Sequence, residues 1–506
     1  MGGVLNPPGN SGIMKPMDTS VPPLVHALLE PQRYPGTVHR VDLVQTAISW
    51  VLLAGDMAYK IKKPVKLPFL DFSTLALRQQ YCMEELRLNR RFAPDIYLDV
   101  VGIFNAPDGP GWSGNGPPIE YAVKMRRFDE AGRLDHLCAR GDLLPSHLSD
   151  LADTLCALHE KAAIAPPTTR FGDADRFMAL ARDNFRDLLQ SHTLADHQAR
   201  LNALQSWTEA QFAQVAALMS ARRQAGHVRE CHGDLHLANM VLINQRVRLF
   251  DCIEFNDDLR WLDVANEMAF TYMDLLEHQQ PGLANWFVDA LLSRSGDYEA
   301  VQLLRFYAVY KAMVRAKVAA DEAQTLAYLA LAERLTTPAP RRLVITHGLS
   351  GCGKTHASSV MLQNDASACT VRVRSDVERK RLFGLAPTDH HATMPGAGMY
   401  SAQATAQTYE RLRALADMLL ATGGTVMVDA AFLKRSERDA FHALAQHYHA
   451  AFEILAPQAT PEQLTQRIES RNAEGSDPSD ATIEVLAQQM RTLEPLGDNE
   501  RPFVRT

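Results

Sequence analysis

Residues 232–239 have the sequence His-Gly-Asp-Leu-His-Leu-Ala-Asn, and the spacing of its acid and its amide decides how the first part of the chain is interpreted. An Asp followed five residues later by an Asn on a tight loop can place a carboxylate at an attacking hydroxyl and an amide oxygen on a metal ion. Two strand-like runs within 241–250 then predict a hairpin that ends at Asp251. Asp234 is therefore the candidate general base, and Asn239 and Asp251 are the candidate magnesium ligands.

This loop and hairpin resemble the aminoglycoside-phosphotransferase-like branch of the kinase fold, whose loops contain His-Gly-Asp-x-His-x-x-Asn and whose metal-binding Asp follows a short hairpin. The resemblance implies ATP and Mg²⁺ as cofactors, an amino-terminal lobe over residues 21–128 and a helical lobe over residues 129–335. It also implies that His232 braces the loop and that Asp263 is structural, bracing the loop backbone. Nothing in the sequence specifies aminoglycosides as acceptors.

Strand-like segments alternate with turns between Thr37 and Lys66, which predicts the antiparallel sheet of a kinase amino-terminal lobe. In kinases a strand lysine contacts the nucleotide phosphates and pairs with a helical glutamate. Lys60 best fits this position, and Lys62 is the alternative because it lies on the same strand face. A helix predicted from Ser73 to Phe92 supplies the glutamate.

The sequence leaves alternatives for the glutamate that pairs with the lysine and for the cap of the helix. Glu85 is favoured over Glu84 as the partner of the lysine, because Glu85 shares a helix face with Tyr81 and Asn89. Ser73 and Asp71 are the alternative caps of the helix. The glycine-rich loop of protein kinases is missing between the first two strands, where residues 45–49 are Gln-Thr-Ala-Ile-Ser.

Residues 336–340, Thr-Thr-Pro-Ala-Pro, predict a linker, and a second nucleotide motif follows in a domain over residues 341–506. The apolar strand Arg342–Thr346 leads into the full G-x-x-x-x-G-K-[ST] pattern and then a helix. Backbone N–H groups of such a loop cradle phosphates, the lysine reaches the β- and γ-phosphates and the Thr ligates Mg²⁺. The nucleotide-binding residues predicted here are Gly348, Ser350, Gly351, Cys352, Gly353, Lys354 and Thr355.

Further residues complete this second site. Asp429 ends an apolar strand at the Walker B position, so it is a candidate magnesium ligand. The segment after the preceding strand resembles small P-loop kinases that include polynucleotide 5′-kinases and zeta-type toxins, and the resemblance implies Asp376 as base and Arg379 as an acceptor-holding residue. Arg467 and Arg471, on one face of a predicted helix, are candidates for neutralising the transferring phosphoryl group.

Composition bounds the class of protein. The 506 residues, 46% hydrophobic and 22% charged with a formal net charge of −7, are ordinary for a globular chain of two or three domains and do not favour bulk nucleic-acid binding. Seven scattered Cys form neither a metal motif nor a disulfide framework, so a cytoplasmic location is expected. No apolar run approaches the ~18 residues that span a bilayer. Residues 1–20 are predicted to form a flexible tail and not a signal peptide.

The predicted fold class is therefore a two-domain chain, with an α+β kinase-like bilobal phosphotransferase fold followed by an α/β P-loop NTPase parallel-sheet domain. Three functions compete. The chain can hold two ATP- and Mg²⁺-dependent phosphotransfer sites for small-molecule hydroxyls. Alternatively, the second domain is a polynucleotide 5′-hydroxyl kinase, with a nucleic-acid 5′ end as partner and a basic cluster over 372–381, and the first domain is an accessory phosphotransferase. Thirdly, one half is a nucleotide-sensing regulatory module. No segment indicates an obligate protein partner.

Overall fold

The computed structural model describes residues 21–107, 109–386, 389, 399, 401–474 and 482–505, and the side chains of 471–474 lie outside this description. The tail predicted over residues 1–20 also lies outside the described residues. The chain forms two compact units. The first contains the residues up to His278 together with Leu304–Thr336, and the second contains Gln279–Leu303 together with the residues from Thr337 onward.

The first unit begins with an antiparallel six-stranded sheet in the order β1-β2-β3-β8-β6-β7. Alternating apolar side chains from its first strands form a core under the short helix α1 (Pro23–Ala27). The strands of this lobe are β1 (Val41–Gln45), β2 (Ser49–Ala54), β3 (Met57–Lys62), the small hairpin β4 (Lys66–Leu67) and β5 (Leu70–Asp71), β6 (Tyr97–Ala106), β7 (Gly109–Gly111) and β8 (Glu120–Arg126).

Helix α2 (Leu75–Asn89) packs on β6 and β8 and buries Glu85 against the sheet. Its cap is Thr74, whose hydroxyl accepts a hydrogen bond from Leu77 N at 3.3 Å, and not Ser73 or Asp71 as the sequence predicted. The Asp71 carboxylate is instead occupied by the amide and hydroxyl of Ser73. The helix therefore starts slightly later than expected.

A helical lobe completes the first unit. The leucine stripe of α4, made of Leu148, Leu151 and Leu155, is buried as its spacing predicts. The two-residue turn at Asn244 and Gln245 closes the predicted hairpin with positive φ at both residues. A sheet with one packed helix, followed by a helical lobe, is the kinase-like fold that the sequence predicts. The helices are α3 (Leu134–Arg140), α4 (Pro145–Lys161), α5 (Ala174–Leu189), α6 (Gln198–Gln224), α7 (Asp257–Arg260), α8 (Val264–Glu277), α10 (Val301–Val318), most of which belongs to this unit, and α11 (Glu322–Thr336), and the strands are β9 (Val228–Glu230), β10 (Met240–Ile243), β11 (Arg246–Leu249) and β12 (Trp261–Asp263).

The second unit contains a five-stranded parallel sheet in the order β14-β15-β13-β16-β17. The central strand β13 is almost fully buried, as expected for a short apolar run in a parallel sheet. The parallel-sheet P-loop architecture predicted for this half is confirmed. The strands are β13 (Arg342–Thr346), β14 (Thr370–Arg374), β15 (Thr425–Asp429), β16 (Ala451–Leu455) and β17 (Val504–Arg505), and the helices are α12 (Lys354–Asn364), α13 (Ser375–Leu382), α14 (Ala402–Thr422), α15 (Arg435–His447), α16 (Pro461–Glu474) and α17 (Ile483–Thr492).

One helix lies in a different unit from the one that the sequence indicated. Helix α9 (Pro281–Ser295) falls within the region 129–335 assigned to the kinase-like helical lobe, but it packs on α12 and β14 of the second unit. Its Asn285 side chain donates to Leu362 O at 3.1 Å and accepts from Thr370 N at 3.2 Å. These polar contacts fix α9 to the P-loop domain, and an apolar helical stripe cannot reveal in advance which core it covers.

Candidate functional site

The loop 232–239 is held in one conformation by its own polar groups. Asn239 Nδ2 donates to the backbone oxygen of Asp234 at 2.9 Å and to its carboxylate at 3.1 Å. Gly233 has φ of +90°, and a Cβ there would lie 2.6 Å from Leu259 O, so only glycine fits without displacing backbone. Because the Asn239 amide nitrogen is used by Asp234, the amide oxygen is left to serve as a metal ligand.

A buried carboxylate holds the start of this loop. Glu267 on α8 accepts from the backbone N–H groups of His232 and Gly233 at 2.5 and 3.2 Å, and its other oxygen contacts His159 Nε2 at 2.6 Å. Burial alone would raise the pKa of Glu267, but the hydrogen bond from His159 and the nearby positive groups lower it to about 2. The carboxylate is therefore ionised at neutral pH and anchors the loop.

Asp263 does not brace the loop, in contrast to the sequence interpretation. Its carboxylate forms a bidentate pair with buried Arg222 at 2.8 and 2.9 Å and caps α8 through Ala265 N. The bracing role falls to Glu267, one helical turn further along α8, because that turn faces the loop backbone. His232 does brace the loop, since its Nε2 lies 2.9 Å from Phe250 O.

The loop and the hairpin are joined, which brings the candidate metal ligands to one place. Phe250 N donates to Asn239 O at 3.0 Å, so Asp251 follows directly beside the loop. Asp251 has φ of +62°, and its N–H donates to the hydroxyl of buried Tyr97 at 3.0 Å. This hydrogen bond secures an otherwise strained backbone conformation, and the carboxylate of Asp251 contacts Lys60.

Asp234 is half-buried at the open side of the loop. Burial would raise the pKa of this carboxyl, but neighbouring His236, 3.3 Å away, and the more distant Arg315 hold it well below its usual range. The group is thus a carboxylate at neutral pH. In that form it can accept a hydrogen bond from a substrate hydroxyl and orient the oxygen for attack.

Both candidate lysines meet Glu85. Lys60 Nζ lies 2.9 Å from one carboxylate oxygen of Glu85 and also contacts Asp251, whereas Lys62 Nζ lies 2.7 Å from the other oxygen and also contacts Glu254. Burial would lower the pKa of each ammonium, but these carboxylates raise it, so both lysines are charged. Only Lys60 reaches the candidate metal ligand. Lys60 therefore joins Glu85 to Asp251, whereas Lys62 joins Glu85 to Glu254.

Glu84, the alternative to Glu85, points elsewhere. It contacts Arg87 at 2.6 Å and Arg260 at 3.0 Å. Lys60, Lys62, Asp251 and Asn239 fit a bound Mg·ATP, because the two ammonium groups suit phosphates and the carboxylate and amide oxygens suit a hard cation. Glu85 of α2 pairs with both lysines. The turn over Thr46–Ile48 stands where protein kinases have a glycine-rich loop. Its Thr46 Oγ1 accepts hydrogen bonds from the backbone N–H groups of Ile48 and Ser49.

Lys311 lies below the loop and gives a testable dependence on pH. This buried ammonium donates to Gly233 O at 3.2 Å, and burial lowers its pKa to about 8. In the unfolded chain the lysine pKa is about 10.4, so the unfolded state binds this proton more tightly than the folded state does. The free energy of unfolding of wild type is therefore lowered at any pH below the folded-state pKa. This loss of stability shrinks as the pH rises toward the unfolded-state pKa. We expect the unfolding free energy of wild type to rise by about 1 kcal/mol relative to that of Lys311→Met when the pH is raised from 7 to 9.

Thermal and urea unfolding at the two pH values measure this shift. Lys317→Met is the control, since Lys317 lies on the same helix and pairs with Asp187 nearer the surface. Equal gaps at pH 7 and pH 9 for Lys311→Met would show that the ammonium is not neutralised in the folded protein.

The P-loop of the second unit lies between β13 and α12. Gly348, Gly351 and Gly353 all have positive φ, which turns successive N–H groups inward. Lys354 Nζ donates to Gly348 O and Leu349 O at 2.9 and 2.8 Å, so the ammonium lies across the loop. Inward-turned N–H groups with a lysine across them are the geometry that a phosphate cradle requires.

Asp429 is placed beside the first turn of α12. Its carboxylate accepts from Ser358 Oγ at 3.1 Å and from Thr346 Oγ1 at 3.4 Å, and it is 5% exposed. Ser358 is also bonded to Thr355 O at 3.0 Å. Ser358 therefore links the Asp429 carboxylate to the backbone of Thr355 near the start of α12. A threonine hydroxyl with a carboxylate is a donor set that suits hydrated Mg²⁺.

Helices α16 and α17 cover the outer side of the P-loop. Arg467 donates to Gly351 O at 3.3 Å, and Gln489 Oε1 accepts from Ser350 N at 2.8 Å. Leu464 and Ile468 pack with Cys352. Arg471 lies on α16, but its side chain is outside the described residues.

Gln489 occupies a P-loop N–H group that a phosphate would need. We expect Gln489→Ala to raise ATP affinity about two- to tenfold, because one neutral hydrogen bond of about 0.5–1.5 kcal/mol no longer competes. Calorimetric titration with ATP measures this, and Gln488→Ala, which alters an exposed neighbour, should leave affinity unchanged. A loss of affinity in Gln489→Ala would instead identify Gln489 as a nucleotide ligand.

The predicted acceptor segment lies at the start of α13. Asp376 is in its first turn, and Arg379 donates to Met399 O at 2.7 Å and to Thr405 Oγ1 at 3.3 Å. Within the basic cluster, Arg372 is buried on Asp289 and Arg381 contacts Glu378. Much of the cluster that the sequence shows over 372–381 is therefore engaged inside the unit.

Sequence reasoning missed Glu267, Glu254, Lys311 and Gln489. The signal for Glu267 was available, because an acid stands in the run 265–270, in which every other residue except Asn266 is apolar, and a buried acid requires partners. Gln489 lies on a helix far along the chain, and its contact with Ser350 depends on tertiary packing.

Comparison with known proteins supports two parts of this description. The family model of the AAA domain matches residues 343–496. Uncharacterized proteins of Mycobacterium tuberculosis and Mycobacterium bovis are 29% identical over 457 residues, covering 88% of this chain and 89% of theirs. The second unit thus contains an AAA-type P-loop domain, and the similarity to these relatives extends over most of both chains.

Solved structures are also similar to this chain. An aminoglycoside phosphotransferase from Alicyclobacillus acidocaldarius is 14% identical, with 70% of this chain and 99% of that chain covered at a TM-score of 0.38. A choline kinase from Cryptosporidium parvum is 11% identical, with 62% and 93% covered at a TM-score of 0.38. Among the described residues, no helix has the length and apolarity needed to cross a bilayer.

Proposed function

We propose that the protein is an ATP- and Mg²⁺-dependent phosphotransferase with two nucleotide sites, each transferring the γ-phosphoryl group to a hydroxyl of a small molecule. The observation that carries the proposal is the contact of Lys60 with both Glu85 and Asp251. This contact joins a phosphate-binding lysine of the sheet to a metal-ligating carboxylate of the hairpin. The hairpin in turn is bonded to the loop that carries Asp234.

In the first unit, the chain's own groups divide the work of one displacement. Asp234 accepts a hydrogen bond from the acceptor hydroxyl and receives its proton as the oxygen bonds to the γ-phosphorus. The bond from this phosphorus to the bridging oxygen breaks, and ADP leaves with that electron pair. Asn239 and Asp251 would hold Mg²⁺, which would neutralise phosphate charge when bound, and Lys60 orients the phosphates.

In the second unit, Lys354 and the P-loop amides would hold the phosphates, and Thr355 and Asp429 the hydrated metal ion. Asp376 is the proposed base, and Arg379 the proposed acceptor-holding residue. Arg467 and Arg471 are the proposed lid cations. Support for phosphotransfer comes from the P-loop geometry and the AAA-domain match. The acceptor is proposed to be a small molecule because the 372–381 cluster is largely engaged in internal contacts.

ATP consumption tests this function directly. Purified protein is screened with sugars, nucleosides, aminoglycosides and 5′-hydroxyl oligonucleotides, and the product of each positive is identified by mass. We expect acceptor-dependent ADP formation with at least one small hydroxyl compound for each unit. Labelled phosphate on oligonucleotide ends would favour a polynucleotide kinase instead. ATP that binds to one unit but is never hydrolysed with any acceptor would favour a nucleotide-sensing module.

A further inference from the structure

Helix α9 brings a carboxylate into the interior of the P-loop domain. Asp289, 5% exposed, pairs in a bidentate manner with Arg372 at 3.2 and 2.7 Å, and Arg372 itself is 4% exposed. The ring of Trp286, one helical turn earlier, lies 6.0 Å from the guanidinium. Asp289 comes from a part of the chain that precedes the P-loop by about sixty residues and that the sequence assigned to the other domain.

The guanidinium reaches the metal side of the site through one hydroxyl. Arg372 NH1 donates to Ser358 Oγ at 3.0 Å, and Ser358 Oγ lies 3.1 Å from the Asp429 carboxylate. A serine hydroxyl has a single proton. Because Arg372 donates to the Ser358 oxygen, the hydroxyl proton points away from Arg372. Two acceptors lie within reach of this proton, the Asp429 carboxylate and the backbone oxygen of Thr355.

Burial makes the first link of this chain hard to replace. A guanidinium that is removed from water must be neutralised, and a carboxylate in fork geometry does this with two hydrogen bonds. Without Asp289, the guanidinium would turn toward Asp429, the other carboxylate whose charge acts on it. An arginine paired with the Walker B carboxylate would compete with a metal ion for the same oxygens.

We propose that Asp289 and Arg372, acting through Ser358, are positioning residues that hold Asp429 ready for Mg²⁺ in the second nucleotide site. The inference rests on the proposed function of this unit. Asp289 neutralises Arg372, Arg372 fixes the direction of the Ser358 hydroxyl, and the hydroxyl fixes the rotamer of Asp429. Helix α9 is then a required part of the P-loop site, although it lies before α10 and α11 in the chain.

Metal-dependent nucleotide binding tests the proposal without requiring turnover. The full chain carries Asp251→Asn, so that the first site loses a metal ligand while asparagine still accepts the positive φ at that position. ATP affinity is then measured by calorimetry at a series of Mg²⁺ concentrations from roughly 0.05 to 10 mM. We expect Asp289→Asn to raise the Mg²⁺ concentration for half-maximal affinity about tenfold, with ATP affinity in excess EDTA unchanged.

Two further variants keep the test decisive. Ser358→Ala leaves no unpaired buried charge and should fold, and we expect it to show the same shift in Mg²⁺ requirement. Asn285→Ala loosens α9 on α12 and β14 without touching the chain of contacts, and we expect a lower unfolding temperature with an unchanged Mg²⁺ requirement.

The outcomes separate this proposal from the proposed function. An unchanged Mg²⁺ requirement in Ser358→Ala, or the same shift in Asn285→Ala, overturns the positioning role even if the protein is an active kinase. A shift confined to Asp289→Asn and Ser358→Ala supports the role even if no acceptor is found. Absence of Mg²⁺-dependent ATP binding in the Asp251→Asn parent overturns the proposed function and with it this inference.

Discussion

Asp234→Asn is expected to lower acceptor-dependent phosphotransfer in the first unit by about 10²- to 10⁴-fold, the usual contribution of a positioned base. The amide has the shape of the carboxylate and can still accept a hydrogen bond from Asn239 Nδ2, so the loop should keep its conformation. It cannot accept the proton of the attacking hydroxyl. ATP affinity should change little, because Lys60 and Asp251 carry the contacts proposed for phosphates and metal.

The measurement uses Lys354→Ala protein as the background, so that the second site does not contribute ADP. Rates with the acceptor found in the screen are compared for this background with and without Asp234→Asn, together with ATP affinity. His236→Gln is the matched control, since it alters the neighbour that lies 3.3 Å from Asp234 while keeping a donor there. If Asp234→Asn keeps the rate of the background protein, Asp234 is excluded as the base, and water must accept the proton of the hydroxyl instead.

Much of the fold follows from local pattern. Strands β13 and β15 have the bounds that their apolar runs predict, because a strand in the middle of a parallel sheet is buried on both faces and needs a continuous apolar sequence. The hairpin before Asp251 was predicted for a similar reason, since its turn residues and flanking strands are adjacent in sequence. Local spacing also suffices for the Asp234 and Asn239 pair.

The parts that sequence did not predict depend on contacts between distant segments. Helix α9 has an apolar face that would fit either core, and the pairing of Asp289 with Arg372 and the contacts of Asn285 show which one it covers. Lys60 and Lys62 share a strand face, and both contact Glu85, so the period of two could not separate them. The difference between them is set by Asp251 and Glu254, which arrive about 190 residues later.

Lys354→Ala is the second substitution with a large expected effect. Removing the ammonium should lower ATP turnover in the second unit at least about 10²-fold, because a preorganised cation beside the transferring phosphoryl group contributes several kcal/mol to the transition state. The change should also weaken ATP binding. Lys354 now donates to two P-loop carbonyls, and those carbonyls lose a partner in the variant, so a modest fall in unfolding temperature is expected as well.

Distinguishing the loss of a phosphate ligand from the loss of loop structure requires a second measurement. Asp234→Asn protein serves as the background, and Lys434→Ala, which removes an exposed lysine of the same unit, is the control for altered charge. If Lys354→Ala removes the remaining turnover while most of the protein stays folded at the assay temperature, the ammonium acts on the nucleotide. If each single variant removes all ATP turnover, the two sites do not work independently, and one unit must gate the other.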